Sequence, residues 1–341
     1  MKKYVATVLA MALVMLAVAG CSSSSSSSGN APNASGGNAA KTAITFADVG
    51  WDSILFHNAV AGLIAEEVFG YSWSEISGST PITHEALMKG EIDVHMETWT
   101  DNLPNYAGDL SDGKLTELSV NFGDNVQGFY VPRYVIEGDP SRGITASAPG
   151  LKTVEDLKGF ADVFKDSEDP SKGRIYGGIP GWEVDSIMYK KYQYYGLDAN
   201  YNYVQPGTDS AMSAAMISAY DRGEPIVAYY WEPTWLIGKY DFVLLEDAPY
   251  SPELYLDGKC ACPSVRVTIC VSNDFYASNP EYCDFLSKYE TSSALTSEAL
   301  AYMEDTRASY KDTAKWFLSE HPDLVDSWLT TEQAAKLREA L

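Results

Sequence analysis

Residues 42–71, TAITFADVGWDSILFHNAVAGLIAEEVFGY, decide the fold class because they place a strand, a glycine turn and a helix in succession. Apolar residues alternate with polar ones at the start of this stretch and then recur at helical spacing from residue 54 to residue 69. A short helix at residues 82–88 and a strand at 92–98 follow. Because strands alternate with helices, we predict an α/β fold with largely parallel sheets.

The same alternation continues along the rest of the chain. The capping-box pattern TVED at residues 153–156 predicts the start of another helix, and the chain is mostly amphipathic helix from residue 279 onward. After residue 156 we expect strands at 174–177 and 226–230 and helices at 185–195 and 210–220. The C-terminal helical region is expected to end with a helix at 331–341.

Length and charge limit the classes of function. The chain has 341 residues, which suggests two domains at roughly 100–200 residues per domain. Acidic residues outnumber basic ones by 47 to 24, for a formal net charge of −23. Because so acidic a surface repels phosphate backbones, nucleic acid is not an expected partner. A small neutral or cationic ligand suits this charge better.

The N-terminus has the pattern of an export signal. Lys2 and Lys3 precede an apolar run over residues 5–19, which ends at VAGC, residues 18–21. This run is shorter than the roughly 20 residues that span a bilayer, so we predict a secretory signal peptide at residues 1–20. Cysteine directly after VAG resembles a bacterial lipobox, which implies that Cys21 is lipidated. The alternative is an ordinary signal peptide with an incidental cysteine.

Residues 21–41 are rich in Ser, Gly and Asn and are expected to form a flexible tether. No second apolar run of membrane-spanning length follows in the sequence. We therefore expect a soluble body outside the cytoplasm, anchored by lipid to the membrane at the cell surface or in the periplasm.

Four cysteines lie in this body: Cys260, Cys262, Cys270 and Cys283. An exported protein permits disulfides, and four cysteines allow three pairings, so structural disulfides and buried thiols both stay open. Cys260 and Cys262 are one residue apart with no histidine nearby, which does not fit a metal site. The sequence has no HExxH, GxSxG or GxGxxG motif. We expect no enzyme activity, no metal and no cofactor.

Tryptophan placement is the strongest functional signal. Four of the eight tryptophans lie at predicted strand ends or at turns rich in Gly and Pro: Trp51, Trp99, Trp182 and Trp231. A single tryptophan at such a position is more commonly a packing residue. Ligands of open α/β sheets, however, bind outside the carboxyl ends of strands, so four tryptophans at these positions favour a shared binding site. Facing indoles suit a quaternary ammonium group, which has no N–H and is held by cation–π attraction and dispersion.

Such a cage needs a second anchor. Three or four rings at ~0.5–2 kcal/mol each give a few kcal/mol, whereas micromolar binding needs about −8 kcal/mol. The turn PGWEV, residues 180–184, precedes a predicted helix, and free N–H groups at such a start favour a carboxylate. A plain strand-to-helix connection is the alternative.

Four stretches carry a resemblance to a known family: FADVGWDS at 46–53, DVHMETWTDN at 93–102, GGIPGWEVDS at 177–186 and PIVAYYWEPTWLIGKYDFVLL at 225–245. The chain resembles the substrate-binding proteins of glycine betaine/proline betaine and choline ABC importers from about Thr42 to its C-terminus. This resemblance implies a two-lobed periplasmic-binding-protein fold (Venus-flytrap, type II) with a hinge between lobes. It implies residues 42–129 and 267–341 as lobe 1, and residues 130–266 as lobe 2, with crossings near 128–130 and 263–266.

The resemblance also implies roles for single residues. Its motifs match Trp51, Trp99 and Trp231 to cage positions, and Trp182 to a cage tryptophan found in some members. The backbone amides of Glu183 and Val184 match the carboxylate-binding turn, and Phe129 matches an aromatic position used by choline binders. The implied partners are a small quaternary ammonium ligand, an ABC permease and its ATPase, and the receptor is expected to be a monomer.

One departure bears on the ligand. Betaine binders often carry a His four or five residues after the tryptophan equivalent to Trp99, where this chain has Leu103 and Pro104. Asn102, Asn105 and Tyr106 are candidate replacements; otherwise the ligand carries no carboxylate. Acidic side chains at positions 52, 183 and 232 would favour choline if they face the cleft. We place glycine betaine or proline betaine ahead of choline or carnitine.

Two hypotheses from other classes remain. A secreted carbohydrate-active enzyme would use the aromatic side chains as sugar platforms and needs two carboxylates facing each other across the cleft. The sensory domain of a signalling system is the other, and the lack of a recognisable cytoplasmic domain in the sequence counts against it.

Overall fold

The computed structural model describes residues 43–341. The predicted signal peptide, the lipidation site Cys21 and the predicted tether lie outside the described residues. Ten strands occur within residues 43–341: β1 (Ala43–Asp48), β2 (Ser72–Ser77), β3 (Val94–Trp99), β4 (Thr116–Phe122), β5 (Val126–Pro132), β6 (Gly173–Tyr176), β7 (Tyr201–Val204), β8 (Ala228–Glu232), β9 (Phe242–Leu244) and β10 (Val267–Val271).

Fourteen α-helices occur in the same range: α1 (Asp52–Ile64), α2 (Thr80–Met88), α3 (Tyr106–Ser111), α4 (Arg133–Glu137), α5 (Glu183–Tyr194), α6 (Asp209–Arg222), α7 (Trp235–Lys239), α8 (Pro252–Tyr255), α9 (Asn273–Ser278), α10 (Pro280–Leu286), α11 (Ser293–Thr306), α12 (Tyr310–Glu320), α13 (Pro322–Trp328) and α14 (Thr331–Arg338). None of the helices in the described part of the chain combines the length and the apolar character that crossing a bilayer requires.

The strands form two five-stranded sheets, which confirms the predicted α/β class, but the expectation of largely parallel sheets is wrong because two of the four strand pairings in each sheet are antiparallel. The first sheet has the order β2-β1-β3-β10-β4, with β1 parallel to β2 and β3, and with β10 antiparallel to β3 and β4. The second has the order β7-β6-β8-β5-β9, with β6 parallel to β7 and β8, and with β5 antiparallel to β8 and β9. In each sheet the strand that comes from the other half of the molecule, β10 or β5, lies second from the edge and runs antiparallel to both of its neighbours.

Most predicted elements are confirmed to within a few residues. The helix expected over residues 54–69 begins at Asp52 and ends as a π-helical turn at Ala65–Phe69, and Gly70 takes the left-handed conformation that terminates it. The helix expected from Thr153 is wrong in type, because residues Glu155–Gly159 form only a 3-10 turn. The capping contacts are nevertheless present, since Asp156 Oδ2 accepts from Thr153 N at 2.9 Å.

Two chain segments connect the sheets, and a buried asparagine joins them. Strand β5 belongs to the second sheet from its first residue, so the first crossing lies between Phe122 and Val126 rather than at residue 129. The second crossing immediately precedes β10. Asn125 Oδ1 accepts from Val265 N at 2.9 Å, and its Nδ2 donates to Val265 O at 2.6 Å. The two crossings are thus held side by side at the base of the cleft.

Replacing Asn125 with Ala is expected to lower the free energy of unfolding by about 2 kcal/mol or more, because it leaves the buried N–H and C=O of Val265 without partners. Urea denaturation followed by far-UV circular dichroism measures this change. Asn105→Ala, on the surface, is the matched control and should change little. Equal stability of the two variants would contradict the role of Asn125 as a hinge clamp.

Candidate functional site

A narrow cavity of about 30 Å³ lies between the two sheets, and it is much smaller than the roughly 300–1,000 Å³ of small-molecule sites. Its walls come from both lobes, which we define as the first sheet with its helices and the second sheet with its helices. The lining residues are Trp51, Thr80, Trp99, Asn102, Trp182, Glu183, Val184, Tyr229 and Trp231. Four indoles that the sequence placed at separate strand ends thus share one cavity.

The fold brings these indoles together because each follows or ends a strand. Trp51 lies between β1 and the start of α1, and Trp99 is the last residue of β3. In the second lobe, Trp182 immediately precedes α5, and Trp231 lies near the end of β8. These positions form the crevice at the carboxyl ends of strands where α/β proteins bind ligands.

The indoles pack edge to face, once across the cleft between Trp51 and Trp182 and once within the second lobe between Trp182 and Trp231. The ring centroids of Trp51 and Trp182 are 5.2 Å apart with planes at 89°, and those of Trp182 and Trp231 are 5.0 Å apart at 83°. Tyr229 extends the wall, with its ring stacked 6.0 Å from that of Trp231. The exposed fraction of all four indoles is 7% or less, so the cage is shielded from bulk water.

Two hydrogen bonds close the cleft beside the cage. Trp182 Nε1 donates to Val49 O at 2.9 Å, and Thr80 N donates to Gly181 O at 3.1 Å. Gly181 has φ +95°, and a Cβ there would lie 3.0 Å from the Cβ of Ser79. Glycine is therefore required at this point both by the backbone conformation and by the approach of the opposite lobe.

The cavity has hydrogen-bond donors that carry no positive charge. The amides of Glu183 and Val184 belong to the first turn of α5, where N–H groups have no partner within the helix. No lysine or arginine is among the lining residues described, and Glu183 is the one acidic residue among them. The site therefore offers dipoles to an anionic group and aromatic faces to a cationic one.

Asn102 is held in place by a hydrogen-bond chain from the second lobe. Tyr229 OH donates to Gln127 Oε1 at 3.0 Å, Gln127 Nε2 donates to Asn102 Oδ1 at 3.4 Å, and Tyr255 OH donates to the same oxygen at 2.5 Å. With Oδ1 occupied twice, the Nδ2 group of Asn102 stays available as a donor at the cavity wall. Because the partners lie in the opposite lobe, these hydrogen bonds connect the two lobes beside the cavity.

A fully buried carboxyl group lies beneath the cage in the first lobe. Glu97 Oε2 accepts from Trp51 Nε1 at 2.7 Å, from Ser53 Oγ at 3.1 Å and from Trp99 Nε1 at 3.4 Å. Burial raises the pKa of Glu97 to about 7, and these three donors pull it partly back. One side chain thus fixes the orientation of two indoles.

The structure separates the sequence candidates into those at the cavity and those away from it. Phe129 is not among the lining residues; it pairs with Tyr229 across β5 and β8, and of that pair it is Tyr229 that reaches the cavity. Asn105 and Tyr106, the other candidate replacements for the missing histidine, line a second surface cavity instead. Among the three acidic positions considered, only Glu183 lines the site.

Sequence reasoning did not single out Glu97, Tyr229 or Thr80. The first two share a signal, because each lies two residues before a cage tryptophan on the same strand and so points to the same face of its sheet. A glutamate between Met96 and Thr98 in a strand that is buried along its whole length is the feature that would have identified Glu97. Thr80 had no comparable signal, since it comes to the cavity from the start of α2.

A second pair of carboxyl groups lies at the rim of the cleft. Asp52 and Asp209 are the first residues of α1 and α6, and they accept hydrogen bonds from Tyr310 OH at 2.7 Å and Tyr230 OH at 3.4 Å. Burial and the negative charge of Asp52 raise the pKa of Asp209 to about 8. Closing the cleft therefore brings together two acidic groups from opposite lobes.

The four cysteines of the described residues are free thiols, and Cys260, Cys270 and Cys283 are buried. Of the two alternatives left open by the sequence, the structure has the thiols. Burial raises the pKa of Cys283 to about 12, which keeps that group protonated. Between residues 43 and 341, no group of three or more His, Cys, Asp or Glu side chains is placed to hold a metal ion.

Comparison with known proteins identifies the family. The family model for the substrate-binding domain of ABC-type glycine betaine transport systems matches residues 42–320. The chain belongs to this family. A curated relative, the glycine betaine-binding periplasmic protein OusX of Dickeya dadantii (strain 3937), is 25% identical over 202 residues. The match spans 54% of this chain and 60% of the length of that relative.

Solved structures share the fold of this family member. A glycine betaine/L-proline-binding protein (ProX) from Borrelia burgdorferi has a TM-score of 0.68 at 22% identity, covering 86% of this chain and 99% of that one. A choline-binding protein in complex with choline has a TM-score of 0.70 at 19% identity, covering 88% and 98%. Lactococcal OpuAC, closed on glycine betaine, has a TM-score of 0.65 at 20% identity, covering 84% and 99%. These matches confirm the expected type II periplasmic-binding-protein fold.

Asp209→Asn is expected to flatten the pH dependence of stability. The folded-state pKa of Asp209, about 8, lies above the value of about 3.9 for an unfolded aspartate, so the protonated form favours folding. Its contribution is present at pH 4 and is lost as the pH rises through 8. Urea midpoints at pH 5, 7 and 9 measure this, with the exposed Asp162→Asn as control. Parallel profiles for the wild type and Asp209→Asn would refute the effect.

Proposed function

We propose that this protein is a solute receptor, not an enzyme, which binds glycine betaine or proline betaine and delivers it to an ABC permease driven by its ATPase. The observation that carries the proposal is the buried cavity with four indole walls, free amides and no cationic side chain among its described lining residues. Membership of the glycine betaine transport family supports the same ligand class.

The aromatic part of the cavity suits the trimethylammonium end of such a ligand. A quaternary nitrogen has no N–H, so hydrogen bonds cannot select it, whereas indole faces attract it through their electron density. Because the cage is almost fully shielded from water, each ring contributes toward the upper part of the range of ~0.5–2 kcal/mol. The Trp51–Trp182 contact joins the lobes, so ligand capture and closure are one process.

The polar part of the cavity suits a carboxylate. The first-turn amides of α5 at Glu183 and Val184 point partial positive charge at an anion, and Asn102 Nδ2 supplies a side-chain donor. Asn102 occupies the functional place of the histidine that many betaine binders have near this position. These donors favour a betaine over choline, whose hydroxyl group needs fewer of them.

Choline or carnitine is the second candidate. Structural relatives of the same fold include a choline-binding protein in complex with choline. The acidic Glu183 at the cavity wall is the feature of this chain that favours a ligand with a net positive charge. A carbohydrate-active enzyme has less support, because Glu183 is not opposed by a second carboxylate among the described lining residues.

We further propose that the receptor works outside the cytoplasm as a monomer, anchored to the membrane through lipidated Cys21. The lipobox-like VAGC at residues 18–21 and the Ser-rich stretch after it support this arrangement. A tether of that composition lets the receptor reach a permease in the same membrane.

Calorimetric titration of ligand-stripped protein with glycine betaine, proline betaine, carnitine and choline tests the proposed function. We expect micromolar binding of the betaines and a loss of at least about tenfold in Trp231→Ala, because one aromatic wall of the cage is removed. Trp316→Ala is the matched control, since Trp316 stacks on Tyr302 away from the cavity. Binding of choline alone would reassign the ligand, and absence of binding by all four would refute the ligand class.

The variant Asn102→Asp tests recognition of the ligand's carboxylate separately from recognition of its cationic group. The substitution keeps an oxygen for Tyr255 and Gln127 but replaces the Nδ2 donor with a negative charge. Glycine betaine should bind at least about tenfold more weakly, since a hydrogen bond to a charged group is worth about 1.5–3 kcal/mol, while choline should not lose affinity. Asn105→Asp controls for the added charge. Unchanged betaine affinity would show that Asn102 does not contact the carboxylate.

A further inference from the structure

The position of Glu97 is unusual for an ionisable group. It lies in β3, is fully buried and is separated from the cavity by the indoles of Trp51 and Trp99. Both indole N–H groups and the hydroxyl of Ser53 donate to the same oxygen, Oε2. A hydrophobic residue in this space would destabilise the fold less, because burying a carboxyl group has an unfavourable free energy of desolvation.

No cation compensates Glu97 within the described part of the chain. The other oxygen, Oε1, has no hydrogen-bond partner and lies 3.5 Å from His57 Nε2. Burial lowers the pKa of His57 to about 3, so this imidazole is neutral under ordinary conditions, and its Nδ1 contacts Tyr289 OH at 2.8 Å. The phenol of Tyr289 has its pKa raised by burial and by Glu97, and it also stays neutral. Glu97 therefore has donors but no counterion.

We propose that Glu97 is the counterion of the bound cation, acting through the indoles of Trp51 and Trp99 as a positioning residue. This inference rests on the proposed function, since it assigns the missing positive charge to the quaternary ammonium group of the ligand. The carboxylate holds both rings by their N–H groups and, by accepting these protons in hydrogen bonds, increases the electron density on the ring faces that meet the cation.

Linkage gives this role a measurable consequence. Without ligand, the pKa of Glu97 is raised to about 7, so the carboxyl group is about half protonated at neutral pH. A cation in the cage favours the ionised form and lowers this pKa, and each unit of that shift is a tenfold gain in affinity. Affinity for the cation therefore rises with pH up to about 7 and levels off above it, with release of a proton on binding.

The first experiment compares glycine betaine with tert-butylacetate, which has the same shape and carboxylate but an uncharged head. Competition calorimetry at pH 6 and pH 8.5 measures the affinity of each ligand for the wild type and for Glu97→Gln. The ratio of the glycine betaine affinity to the tert-butylacetate affinity is the preference for the charged head. At pH 8.5 we expect the preference to fall by about tenfold in the variant, because one charge is removed. At pH 6, where Glu97 is mostly protonated, the preference should be nearly equal in both proteins. Glu75→Gln, in the same sheet but outside the cavity lining, is the matched control.

The second experiment covers the case in which Glu97→Gln does not fold. In the wild type, titrations near pH 7 in phosphate and in Tris should report release of about half a proton per glycine betaine bound. Trp51→Phe keeps the ring and removes one donor to the carboxylate, so the pH midpoint of betaine affinity should move upward. A purely structural role for Glu97 would leave that midpoint unchanged.

Two results overturn the inference in different ways. Equal preference for the charged head in the wild type and Glu97→Gln at pH 8.5, or betaine binding without proton release in the wild type, refutes the counterion role and leaves the receptor function intact. Absence of betaine and choline binding in the wild type refutes the proposed function and the inference with it.

Discussion

The edge-to-face contact between Trp51 and Trp182 is the interaction on which the site depends. It joins an indole of the first lobe to one of the second, beside the hydrogen bond from Trp182 Nε1 to Val49 O. Each lobe contributes two of the four indoles, Trp51 and Trp99 from the first and Trp182 and Trp231 from the second, so neither lobe has the complete cage. Under the proposed function, a cation held between these shielded rings would be bound more strongly than in water, because cation–π attraction grows as water is removed.

The hinge and the glycine turn bring the two lobes together. The two crossing segments are held together through Asn125 and Val265, so the lobes share a fixed base. At the opposite side, Gly181 lets the backbone before α5 approach Ser79 closely enough to bond with Thr80. The lobes are thus in contact at the base, through Asn125 and Val265, and at the rim, through Gly181 and Thr80.

Electrostatics of the site differ from those of the surface. The chain has a formal net charge of −23, yet burial raises the pKa of Glu97 to about 7, and burial together with the charge of Asp52 raises the pKa of Asp209, at the rim of the cleft, to about 8. Both groups are therefore partly protonated near neutral pH. Under the proposed function, a cation that enters the cage would meet carboxyl groups that can ionise in response, while the acidic exterior would attract cations over longer distances.

The sequence alone determined the α/β class and the placement of four indoles at strand ends, because these follow from local periodicity and from the geometry of parallel strands. It also provided the turn before α5 and the motifs of the family. Tertiary structure decided which neighbours complete the site: Tyr229 rather than Phe129, Asn102 rather than Asn105, and the buried Glu97. These choices depend on how β5 pairs with β8 and on how one lobe meets the other, and contacts between residues so far apart along the chain leave no local pattern in the sequence.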